Sequence, residues 1–236
     1  RDRSPSRGLG DVYKRKEFKA TLRRFFYLFW IAGFTLSRIK QTSFNLIKWL
    51  KEKKLINEIK YELEKSIKEN RVQERVESAL NGNVYQEPWC KPLLALIEYN
   101  QIDNPEYIWL GDRNIHAEHI LPQSFSEVYG WKHVIEDERD GIDYVNTLGN
   151  MTLLSGKKNI EASNDAFENK ISIYQGKGKH GNSDDKITSF RITQKIFDDY
   201  NQNKLERWDC DTIINRKKQL LEEIEDILKI DLRNIK

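Results

Sequence analysis

Apolar and charged positions interleave at helical spacing through the first hundred residues. Over residues 39–80, Ile56, Ile59, Leu63 and Ile67 recur with Lys and Glu between them, which predicts helix. Asn81-Gly82-Asn83 breaks this pattern, and Leu93, Leu94, Leu96 and Ile97 predict a short helix after Pro92. Upstream, the opening RDRSPSRGLG reads as a loop, because Pro and Gly punctuate it, and helix is expected from near Asp11. That helix runs into the apolar stretch Phe25–Phe34 (FFYLFWIAGF). The stretch falls short of the about 20 apolar residues that a bilayer requires, so it reads as a buried helix. It also lacks the small-residue cleavage site of a secretory signal, and a cytoplasmic location is expected.

From residue 106 the pattern changes. Ile115–Leu121, ending at Pro122, and Met151–Leu154 are short runs that predict strands. Phe167, Ile171 and Tyr174 predict a helix over Asn164–Tyr174. The expected order is therefore strand, long connection, strand, helix. The segment GKGKHGN (176–182) reads as a basic loop, either plain surface or a contact for phosphates. Ile213, Ile214, Leu220, Leu221, Ile224, Ile227 and Leu228 form one apolar stripe, interrupted by Lys217, which predicts a final core-facing helix. The expected division is a helical support region at 1–105 and a functional domain with C-terminal helices at 106–236. The expected fold class is mainly α.

Hydrophobic residues make up 38% of the 236, enough for a core. The net charge of +3 is too small to argue for nucleic acid, although the first 24 residues hold nine Lys/Arg against three Asp/Glu. Cys90 and Cys210 stand far apart. They read as reduced thiols, and their number excludes a four-cysteine zinc site. The chain starts at Arg1 and its single Met is Met151, so it reads as a fragment of a longer protein.

The candidate chemistry lies in His116-Ala117-Glu118-His119-Ile120-Leu121-Pro122-Gln123-Ser124, followed by Leu148-Gly149-Asn150-Met151-Thr152-Leu153-Leu154, Lys157-Lys158-Asn159 and Ser163-Asn164. A carboxylate beside an imidazole offers a hard oxygen ligand and a proton acceptor that is partly neutral at pH 7. A later Asn adds a neutral oxygen ligand, making an oxygen-rich site suited to Mg²⁺. Neighbours on a strand point to opposite faces, so Glu118 and His119 share a site only if the strand end twists or the substrate wraps it. The triplet His116-Ala117-Glu118 also matches half of a zinc-deaminase signature, but the P-C-x-x-C partner is missing.

These motifs resemble those of the HNH, or ββα-metal, nucleases. The D/E-H-I-x-P-Q-S core stands here as Glu118–Ser124, and the nine-residue step from Asn150 to Asn159 is similar to that in the HNH domain of CRISPR RNA-guided nucleases. More closely, residues 115–220 resemble the C-terminal nuclease domain of GmrSD-type modification-dependent restriction enzymes. That likeness rests on E-H-I-L-P-Q-S, L-G-N-x-T-L-L, Asn159, Ser163, Asn164, Phe167 and Lys170, with Trp208, Ile213 and Arg216 behind them.

The resemblance implies a ββα-metal nuclease element embedded in a helical bundle, and metal-dependent endonucleolytic cleavage of DNA in bacterial restriction and anti-phage defence. His119 would be the general base, with Asn150 ordering the loop or the base. Glu118 and Asn159 would hold one divalent ion, Mg²⁺ or Mn²⁺. His116, Asn164 and Lys170 would support the site, and Lys157, Lys158, Lys177 and Lys179 would meet nucleic acid. It also implies a nucleotide-hydrolysing domain preceding this one in the full protein. The alternative is a non-catalytic helical DNA-binding module on a degenerate nuclease fold.

Overall fold

The computed structural model describes residues 5–103, 111–135, 137–178 and 186–232, with side chains from Tyr13 onward. The chain groups into two compact units, Arg1–Ala79 with Glu225–Ile235, and Leu80–Ile224 with Lys236.

In the first unit, α1 (Pro5–Ile31) begins earlier than expected. Pro5 is its first residue, where a missing N–H costs nothing. The run from Phe25 is buried as expected: Phe25 stacks on Phe29, and Phe29 on Phe34, with ring centroids 4.1 and 4.6 Å apart. The expected helix over 39–80 is three helices: α2 (Leu36–Lys51), α3 (Ile56–Glu69) and α4 (Val72–Asn81). The breaks fall at Lys53 and Arg71, whose φ values of 57° and 50° end a right-handed helix. Ile59, Leu63 and Ile67 form the buried stripe of α3, four residues apart, and α3 packs on α1. The outer side of α2 leaves Phe44, Ile47 and Leu50 exposed.

The second unit contains α5 (Cys90–Gln101), β1 (Ile115–His119), α6 (Tyr129–Lys132), α7 (Glu138–Val145), β2 (Met151–Ser155), α8 (Gly156–Ala162), α9 (Phe167–Tyr174), α10 (Arg191–Asn201) and α11 (Cys210–Leu228), whose last residues belong to the first unit. β1 and β2 pair antiparallel, from Ile115 opposite Ser155 to His119 opposite Met151. The molecule is thus mainly helical, with one small sheet among the described residues. α5 and α10 pack on β2, and a core of Trp131, Phe167, Tyr174, Trp208, Ile120 and Leu121 lies behind the hairpin.

β1 ends at His119, two residues before the expected Leu121. Beyond it the side chain of Asn150 replaces the strand partner: Leu121 N–H donates to Asn150 Oδ1 at 2.7 Å, and Asn150 Nδ2 donates to Leu121 O at 2.8 Å. The helix expected over Asn164–Tyr174 starts only at Phe167, and α8 precedes it as a separate element. Ser155 caps α8, accepting from Lys158 N, and Ser163, at φ 39°, ends it. α10 is capped from a distance by the buried Glu98 of α5, which accepts N–H bonds from Arg191 (2.7 Å) and Ile192 (2.8 Å). Among the described residues, no helix is long and apolar enough to cross a membrane.

Candidate active site

The hairpin and α8 frame an open groove of about 540 Å³ lined by Glu118, His119, Ser124, Asn159, Ser163 and Asn164, among others. Glu118 and His119 are adjacent on β1 yet both reach it, because His119 is the last residue of the strand, where the ladder gives way to the Asn150 side chain. Asn159 comes from the second turn of α8, the helix that leaves β2 directly. Glu118, His119, Asn159 and Asn164, four of the residues picked out by the motifs, are therefore assembled around one space.

Glu118 is nearly buried, and its Oε1 accepts from Lys170 Nζ at 2.7 Å. Lys170 is fully buried on α9 and also donates to the carbonyl of His119 at 2.7 Å, so one ammonium ties α9 to both residues of the strand end. Burial pushes the Glu118 carboxyl up, against the Lys170 charge and hydrogen bond, which pull it down. Burial also lowers the Lys170 ammonium, opposed by Glu118.

The His119 imidazole is lowered by burial, more than the hydrogen bond to Asn146 raises it. Burial therefore favours the neutral ring that a proton acceptor needs. Its Nε2 lies 2.9 Å from Asn146 Oδ1, and the Tyr85 ring packs on it with centroids 4.1 Å apart.

Asn150 does not line the groove. It is fully buried, and its amide makes four bonds: Oδ1 accepts from Leu121 N and Trp208 Nε1, and Nδ2 donates to the carbonyls of Leu121 and Val145. Such a saturated amide orders the loop and leaves no atom for a reaction. Trp208, Ile213 and Arg216 close around the same turn. Arg216 donates to the carbonyls of Gly149 and Met151, both at 2.7 Å. A Cβ on Gly149 would sit 2.1 Å from the Ile213 carbonyl, so only glycine fits there. Burial lowers the Arg216 guanidinium to about 10.

A match to the family model of GmrSD restriction endonucleases, C-terminal domain, spans residues 64–223, more than half of the chain. The chain belongs to this family. No curated protein and no solved structure matches it. The matched GmrSD segment takes in the groove and each support described above, from Tyr85 to Arg216.

The remaining expected residues of this GmrSD domain fall elsewhere. His116 does not line the groove; it stands on β1 beside Gly156, where a Cβ would lie 3.3 Å from its Nε2. Lys158 is a correction to the expected nucleic-acid face. Its side chain turns inward and Nζ donates to the Ile173 carbonyl at 2.7 Å, because it occupies the buried side of α8. Lys157 is exposed in a separate pocket with Ser155, Lys186 and Thr188. Lys177 is exposed, and Lys179 lies outside the described residues.

Asn146, Tyr85 and Gln123 received no role from the sequence. Asn146 and Tyr85 stand in irregular segments with no periodicity to mark them, and Gln123 carried only its motif position.

Among the described residues, no three His, Cys, Asp or Glu side chains group as a metal site. The oxygens available are of another kind. Asn159 Oδ1 and Ser124 Oγ are buried in the groove and have no hydrogen-bond partner among the described residues. A buried amide oxygen without a donor is costly unless something electropositive meets it. With the Glu118 carboxylate alongside, this is a hard-oxygen donor set that fits Mg²⁺ or Mn²⁺.

Proposed function

We propose that this GmrSD C-terminal domain is an HNH-type, ββα-metal endonuclease that hydrolyses phosphodiester bonds in DNA with one divalent ion. The observation that carries the reading is the convergence of Glu118, His119 and the unpartnered Asn159 Oδ1 on one groove framed by β1, β2 and α8.

Glu118 and Asn159 would hold the ion. When bound, it neutralises charge that develops on the phosphate and the leaving oxygen. His119 takes the proton of the attacking water; burial favours its neutral form beforehand, and such a base contributes about 10² to 10⁴ in rate. Lys170 fixes Glu118 through Oε1 and holds the strand end through the His119 carbonyl. Asn150 fixes Leu121 next to the groove residue Pro122. The described groove lining contains no Lys or Arg, so DNA is retained by cations outside it, of which Lys157 and Lys177 are exposed. In the full protein, restriction of foreign DNA and a preceding nucleotide-hydrolysing domain are part of this proposal, by likeness to the family.

The test is plasmid nicking with Mg²⁺, Mn²⁺ or EDTA. The wild-type chain is expected to nick only with metal, and His119→Ala is expected to lose nicking while still binding DNA. Full activity of His119→Ala would remove His119 as the base. Absence of nicking by the wild type under every condition would favour a non-catalytic DNA-binding module.

Asn159→Ala separates the metal role from stability. It deletes an unsatisfied oxygen, so the metal-free fold is expected to lose little or nothing in a urea melt, while calorimetry shows weaker Mn²⁺ binding. Unchanged Mn²⁺ affinity would move the ligand elsewhere, with Asn164 next.

A further inference from the structure

His119 is a useful base only if the ring nitrogen left for water carries the lone pair. A neutral imidazole has one N–H and one acceptor nitrogen, and the partner of one nitrogen sets the state of the other. Here Nε2 lies 2.9 Å from Asn146 Oδ1, while no described residue makes a hydrogen bond to Nδ1. Asn146 Oδ1 also accepts from Gln123 Nε2 at 3.2 Å, so the amide oxygen faces both the Gln123 amide nitrogen and the imidazole Nε2. Asn146 is itself anchored. It ends α7, its N–H donates to Tyr144 O, and its carbonyl accepts from Val84 N at 2.9 Å. Val84 precedes Tyr85, whose ring packs on the imidazole. The Val84–Asn146 bond thus joins the segment that supplies the polar partner of the ring to the one that supplies its wall.

We propose that Asn146 is a positioning residue that holds His119 as the Nε2–H tautomer and leaves Nδ1 as the nitrogen that accepts the water's proton, with Gln123 orienting the Asn146 amide and Tyr85 fixing the ring. The catalytic use of that tautomer rests on the nuclease reading above; the tautomer itself does not. Turning both amides over gives the opposite network, in which Asn146 donates to Nε2 and the proton sits on Nδ1.

The experiment is a long-range ¹H–¹⁵N correlation spectrum of the whole ¹⁵N-labelled chain, without DNA or metal, at a pH where His119 is neutral. His119→Gln assigns the signals among the four histidines. The wild type is expected to show the Nε2–H pattern for His119. Asn146→Leu is expected to mix the two tautomers, and Asn146→Asp, which still accepts, to restore the wild-type pattern. Where nicking is measurable, Asn146→Leu should lower kcat at least about tenfold with KM little changed, and Asn146→Asp should recover most of it. An Nδ1–H pattern in the wild type overturns the proposal, and so does an unaltered tautomer in folded Asn146→Leu. Because the wild-type spectrum requires neither an Asn146 variant nor activity, it can overturn the proposal even if Asn146→Leu fails to fold. An Nε2–H tautomer in a chain that never nicks would sink the nuclease reading and leave the positioning intact.

Discussion

Replacing Asn150 by alanine removes four hydrogen bonds from one fully buried site. It leaves the Leu121 N–H, the Trp208 indole N–H and the carbonyls of Leu121 and Val145 without partners, in a place that solvent does not reach. Each abandoned buried group costs about 1–3 kcal/mol, so even the lower end sums to about 4 kcal/mol. That is a large share of the about 5–15 kcal/mol that holds a domain folded. The assay is urea denaturation followed by far-ultraviolet circular dichroism. Asn150→Ala is expected to shift the midpoint by an amount equivalent to about 4 kcal/mol or to prevent folding. A milder companion is Trp208→Phe, which strands only one acceptor bond, and the two changes should be strongly non-additive because they share that bond. A variant that keeps the wild-type midpoint and loses only cleavage would refute this reasoning and place Asn150 among the reacting groups.

Lys170→Met leaves the Glu118 carboxylate buried without its cation and is expected to destabilise by about 3–5 kcal/mol. Adding Glu118→Gln should restore part of that loss in the same melt; a double variant no more stable than Lys170→Met would contradict it. Glu98 gives a pH signature. Burial raises its carboxyl, against the N–H bonds of Ile192 and Arg191. A carboxyl raised in the folded state contributes most below the ordinary range near 4.5, and that contribution is lost as pH rises through the folded value. Relative to Glu98→Gln, the wild type should therefore gain stability between pH 7 and pH 4. Urea midpoints at the two pH values check this, and the opposite trend would exclude the raised carboxyl.

Much of the site could be read from residue types. Glu118, His119 and Asn159 reach one groove as their motif suggested, because the two strands and the helix after them are short and local, and the sequence between them carries the turn and cap residues. The segment around Phe25 was legible because its length and its near-continuous apolar character leave little choice but burial. What stayed hidden depends on pairing across long separations. No local pattern could show that the Asn150 amide would act as a strand rung, that Glu98 would cap a helix ninety residues later, or that Tyr85 would meet His119. Lys158 misled for a related reason. A lysine beside another lysine reads as surface, but successive residues on a helix face different ways, and only the first of the two is turned outward. α8 was missed because seven residues, GKKNIEA, are too few to display a period.

The side chains that line the groove all come from one contiguous stretch, 118–164, short enough to look like a detachable cassette. Their fixtures do not. The ring that backs His119 comes from residue 85, the ammonium that holds the Glu118 carboxylate from residue 170, and the indole and guanidinium that clamp the turn before β2 from residues 208 and 216. A peptide cut to the motif would keep the groove lining and the amides of Gln123, Asn146 and Asn150, and lose the ring, ammonium, indole and guanidinium that brace them. Transplanting the hairpin and its helix into another scaffold would fail for the same reason, unless the new host happened to offer a buried lysine, an aromatic wall and an indole at matching places. The smallest functional module is therefore a spatial one, and its limits cannot be drawn by trimming the sequence towards its signature.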